Sequence, residues 1–80
     1  NISLSMYPNP AKSQTTLFVD GLTNQAQVFV NDIQGRKINT YTINKGQSSL
    51  KINTQSLSSG IYYVRVISNN ISKTEKLVVK

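Results

Sequence analysis

Neither cysteine nor histidine occurs in the chain, and tryptophan is absent as well. Without cysteine no disulfide can staple the fold and no thiolate can hold a metal. Without either residue, Ser-His-Asp and Cys-His arrangements cannot be assembled, and metal sites built on imidazole or sulfur are excluded. Lack of cysteine leaves the compartment open, since a secreted domain that relies on packing alone has it in common with a cytosolic one. Acid is scarce too, with three Asp or Glu against nine Lys or Arg, a net charge of +6. The carboxylates Asp20, Asp32 and Glu75 lie far apart in the chain. Folding could in principle pair two of them as a glycosidase does. Asp20 and Asp32, however, stand beside turn signals, where Asp is a turn residue, and Glu75 reads as a strand charge. Calcium needs several clustered oxygen ligands, and no stretch supplies them. This inventory argues against an enzyme and calls for no cofactor.

Long apolar runs are missing. No stretch approaches the ~20 apolar residues of a membrane helix, so no membrane insertion is expected. The N-terminus lacks the basic, apolar and small-residue order of a signal peptide. If the chain is exported, its entry signal belongs on a longer precursor. Eighty residues make one domain, and a domain of this size buries roughly 60–65% of its unfolded surface, a thin core. The basic excess attracts polyanions in general. Scattered basic residues also guard edge strands. Nucleic-acid binding wants cations interleaved with stacking aromatics. Tyr62, Tyr63 and Arg65 give only a faint version, so no nucleic-acid partner is expected.

What is present is β pattern. The densest β-former cluster is Leu57-Ser58-Ser59-Gly60-Ile61-Tyr62-Tyr63-Val64-Arg65-Val66. Tyr62, Val64 and Val66 alternate with Ile61, Tyr63 and Arg65, one face for a core and one reaching solvent. This predicts a central strand with neighbours on both edges. Ahead of it, Ile2, Leu4 and Met6 mark a first strand, stopped by Tyr7-Pro8-Asn9-Pro10, and Ala11 to Gln14 read as polar loop. Thr15–Asp20 and Gln25–Asn31 follow as strands. Asp32-Ile33-Gln34-Gly35 is a hairpin turn whose glycine supplies positive φ. In the strand Arg36–Asn44, Ile38 and Tyr41 fall out of phase, which predicts a bulge near Asn39-Thr40. Ser48–Asn53 is a fifth strand, and Leu57 plugs the core end. Ser68-Asn69-Asn70 turns into a last strand from Ile71 to Val79. Short strands at close spacing, with no helical periodicity, point to an all-β antiparallel sandwich of about seven strands.

Tyr7-Pro8-Asn9-Pro10, Val28 to Ile38 and Leu57 to Val66, closed by the tail Lys73 to Lys80, stand in an order and spacing that resemble the type A C-terminal sorting domains of the type IX secretion system. The resemblance covers nearly all of the chain. Each motif alone is a common turn or strand, and their combination at domain length carries the specificity.

The resemblance implies a small Ig-like β-sandwich at the end of a large secreted precursor, with residues 1–80 as its single sorting domain and a cargo domain N-terminal to it. The implied function is a non-catalytic signal. The precursor crosses the inner membrane, and the folded domain is recognised in the periplasm. It then directs the cargo through an outer-membrane translocon with its shuttle components. A sortase-like cell-surface protease would then remove it, leaving the cargo at the cell surface or released. The family motifs fall on Tyr7, Pro8, Asn9 and Pro10; on Asp32, Gly35 and Ile38, with Arg36 or Lys37 as basic partner; and on Leu57, Gly60, Tyr62 and Val64. These read mainly as structural. Gly35 and Gly60 would occupy positions where a side chain clashes or forces strain, and the prolines would stiffen a crossover between sheets. Recognition is assigned to Lys73, Lys76, Leu77, Val78, Val79 and Lys80. A last strand at a sheet edge offers free donors and acceptors to a receptor strand, and its lysines add charge matching. The competing reading is a carbohydrate-binding or adhesive sandwich that uses exposed tyrosines, among them Tyr7, Tyr41 and Tyr63, as platforms.

Overall fold

In the computed structural model, which describes residues 2–80, the chain forms seven strands and no helix. They are β1 (Ser3–Tyr7), β2 (Gln14–Asp20), β3 (Ala26–Asp32), β4 (Lys37–Ile43), β5 (Ser49–Asn53), β6 (Gly60–Ser68) and β7 (Ile71–Val79). Strands β1, β2 and β5 make a three-stranded sheet in the order β1-β2-β5, and the other four make a sheet in the order β4-β3-β6-β7. Every strand pair is antiparallel. The result is a small Ig-like β-sandwich.

The core follows from alternation. On β6, Tyr62, Val64 and Val66 are buried while Ile61, Tyr63 and Arg65 are exposed. Val28 and Val30 of β3 pair with Val66 and Val64. Leu77 of β7 pairs with Tyr62. From the opposing sheet come Leu17, Val19 and Ile52, with Ile2 just before β1. As expected, β6 is central, flanked by β3 and β7. Tyr62 brings a polar group inward, and its hydroxyl donates to the Ser58 carbonyl at 2.7 Å. A buried phenol usually needs such a partner, and a tyrosine bonded to backbone a few residues upstream is a recurrent Ig-like device.

Two local expectations need correction. The irregularity in β4 comes earlier than Asn39-Thr40: Val30 pairs with Asn39 and Asn31 with Lys37, so Ile38 is the unmatched residue. The bulge turns Ile38 outward, where it is 39% exposed, whereas Tyr41 packs against the core. A bulge placed two residues later would have kept Ile38 in the ladder. Second, the Tyr7-Pro8-Asn9-Pro10 segment does not cross between sheets. It joins β1 to β2 within one sheet, and reaches the other sheet only by touching β7, where Ala11 bridges Val79.

Because the core is one residue deep on each sheet, inward and outward positions on neighbouring strands should respond very differently. Leu77→Ala is expected to cost about 2–5 kcal/mol, and Ile61→Ala, on the outer face of β6, no more than about 0.5 kcal/mol. Urea denaturation followed by circular dichroism checks both.

Candidate functional site

Segments far apart in sequence meet at one end of the sandwich. Asp32, at the end of β3, pairs with Tyr62, and Tyr62 pairs on its other side with Leu77. One step further out, Gly60 pairs with Val79, which is bridged in turn by Ala11. The early, middle, late and terminal motifs are therefore consecutive neighbours across one end of the fold. Between the β3–β4 turn and the loop before β6 lies an open groove of about 320 Å³, lined by Ile33, Arg36, Ile38, Ser59 and Ile61 among others.

The middle motif builds its own turn. The Asp32 carboxylate accepts from the backbone N–H groups of Gln34 and Arg36, each at 2.9 Å, and from Arg36 Nε at 2.8 Å. The Arg36 backbone N–H is the main cause holding the Asp32 carboxyl below its ordinary value. Partial desolvation opposes this, and the Arg36 side chain, the Gln34 N–H and the Arg36 charge add to the lowering. Gly35 closes the turn at φ +85°, a left-handed conformation that costs other residues about 1–2 kcal/mol. A Cβ at Gly35 or Gly60 would meet nothing within 4 Å. The glycines are therefore required by conformation and not by crowding, which narrows the expectation of a clash.

The early motif acts on the last strand. Asn9 Nδ2 donates to the Lys76 carbonyl, and Asn9 Oδ1 accepts from the Val78 N–H, both at 3.0 Å. The side-chain amide thus takes the place of a peptide group on a neighbouring strand. Ala11 continues the contact: its N–H donates to the Val78 carbonyl, and its carbonyl accepts from the Lys80 N–H, both at 2.8 Å. The edge of β7 from Lys76 to Lys80 is therefore not free for strand addition, contrary to the expectation, because residues 9–11 already occupy it. In an antiparallel ladder alternate residues face outward. The uncovered part of this edge is Ser72 and Thr74, with the Lys76 N–H.

The family model for secretion system C-terminal sorting domains matches residues 5–80. The chain belongs to that family. No curated protein matches the chain. The family consists of sorting signals for type IX secretion, which lead to the cell surface or beyond it in Gram-negative bacteria, and the β-sandwich is the body that carries the signal here.

Within this sorting domain the tail residues divide sharply. Leu77 and Val79 are core, 0% and 3% exposed, and Val78 is half-buried. Lys76 and Lys80 are exposed at the motif end. Lys73 is exposed but pairs with Val66, in the other half of β7, away from the clustered motifs. Tyr7 stands 76% exposed, Leu57 packs against the core, and Val64 is buried one step behind the cluster. Tyr41 packs inward and Tyr63 lies on the outer face, so they do not form one sugar-binding platform. Ala11, which lies in the segment that the sequence marks as polar loop, is fully buried. The signal available was a small apolar residue directly after Pro-Asn-Pro, where two backbones approach. Among the described residues no group of three His, Cys, Asp or Glu could hold a metal.

Asn9→Ala removes both side-chain bonds to β7 and is expected to destabilise the domain by roughly 1–2 kcal/mol, with faster hydrogen exchange at the Val78 amide. Asn9→Asp keeps the acceptor for Val78 but sets a second oxygen against the Lys76 carbonyl, and should be at least as destabilising as Asn9→Ala. Asp32 has a folded-state pKa below its unfolded value. Its contribution is therefore complete above the unfolded carboxyl value and is lost as pH falls through the lowered one. Acid unfolding of Asp32→Asn should lack that part of the pH dependence.

Proposed function

We propose that this chain is the non-catalytic C-terminal signal of a larger secreted precursor, and that it directs an attached N-terminal cargo across the outer membrane. The translocon and shuttle components of type IX secretion are its receptors, and a sortase-like protease at the cell surface removes it afterwards. The observation that carries this reading is the family match over residues 5–80, supported by the gathering of the motifs at one end. With the domain folded, recognition of the tail falls to the exposed side chains of Lys73, Lys76 and Lys80. Leu77 and Val79 serve by holding β7 in the core, and Val78 by its bonds to Asn9 and Ala11.

Deleting Lys76 to Lys80 would remove two core side chains together with the lysines, so charge reversal is the cleaner test. A reporter carrying a signal peptide and this domain should leave a bacterium that runs type IX secretion. Lys76→Glu with Lys80→Glu should strand it in the periplasm while the thermal melt of the purified domain stays within a few degrees of native. Native fusion protein that stays in the periplasm would overturn the sorting function, and normal export of the double variant would overturn the lysine assignment.

A further inference from the structure

The four-stranded sheet turns one face to the core and the other to solvent. On the solvent face, the register places Phe29 beside Arg65, and Asn31 beside Tyr63, which is beside Lys76. Lys37 Nζ sits 4.6 Å from the centre of the Phe29 ring. Arg65 Nε donates to Ser72 Oγ at 3.1 Å. Three cations, Lys37, Arg65 and Lys76, thus surround Phe29 and Tyr63 on one surface, and two of them are held in place by neutral partners.

Among the described residues no side-chain carboxylate shares that surface. Asp20 is on the other sheet, Asp32 is in the turn bonded to Arg36, and Glu75 alternates with Lys76 to the opposite side of β7. The charge is therefore uncompensated, and Tyr63 and Ile61 keep 39% and 41% of their surface exposed. Arginine and aromatic residues at the centre with lysines at the margin is the composition of protein-binding surfaces, whose energy concentrates in Tyr and Arg. Like charges on one face are compensated when a partner of opposite sign docks. A linear polyanion would instead want a basic groove to follow. The groove at the motif end is not one, since Asp32 lines it.

We propose that the outer face of this sheet, centred on Tyr63 and Arg65, docks an acidic protein surface of the export machinery: an apolar patch ringed by Asp and Glu. This rests on the sorting function and adds a second contact to the tail.

The test measures binding of the purified chain to detergent-solubilised type IX translocon by biolayer interferometry, at low and high salt. Arg65→Glu and Tyr63→Ala are each expected to weaken binding roughly tenfold or more, and salt should weaken the native complex. Phe18→Ala, on the outer face of the other sheet, should leave it unchanged. Circular dichroism melts accompany each variant, and Lys37→Glu, at an exposed position of the edge strand β4, replaces Arg65→Glu if the latter unfolds. Native affinity in the folded face variants, with Lys80→Glu still impaired, would overturn the docking face and leave the sorting function standing. Tighter retention on heparin or duplex DNA than on the translocon would overturn an acidic protein as the partner. If the native chain neither binds the translocon nor exports its reporter, the sorting function fails, and the docking face with it.

Discussion

The structure depends on burying one face of β6. Tyr62, Val64 and Val66 leave water together only if β6 lies flat against the opposing sheet. Its backbone groups then have no solvent to bond and must be paired on both edges. That requirement brings β3 to one side and β7 to the other, although the β3 partners lie 30 to 40 residues earlier in the chain. A core this thin has little reserve. The Tyr62 hydroxyl bond to Ser58 and the Asp32-bonded turn are the local devices that hold the strand ends in register.

The same constraint explains why the family motifs cluster. β6 begins where β3 ends and where β7 ends, so Gly60, Asp32 and Val79 share one pole by antiparallel pairing alone. One liability is the edge of β7. Residues 9–11 cover its C-terminal half through Asn9 and Ala11. The N-terminal half is left bare and carries Lys73 and Glu75 on the side that would otherwise face the core. Inward-pointing charge is a common defence of an exposed edge.

Strand positions and facing were legible because period-2 alternation is local: Leu17 with Val19, Val28 with Val30, and Tyr62 with Val64 and Val66 all point inward as their spacing required. The turns at Gly35 and Asn69 were legible for the same reason, since positive φ is a property of a few consecutive residues. The position of the bulge was not. Out-of-phase residues announce that a bulge exists, but which residue is expelled depends on the partner strand, and the partner of Ile38 cannot be read from its neighbours. The division of the tail was also hidden: Leu77 and Val79 alternate visibly, yet whether anything covers them depends on where the second sheet lies.

The sequence by itself determined the all-β class, the inward face of most strands, the turn glycines and the family, because each rests on short-range chemistry or on the order of motifs along the chain. Only the tertiary structure decided which strands are neighbours, that Asn9 stands in for a peptide group against β7, and that Phe29, Tyr63, Arg65 and Lys76 form one uncompensated surface. Those are contacts between residues up to about seventy positions apart. They arise from satisfying backbone groups and burying apolar area together, and no local pattern specifies that choice.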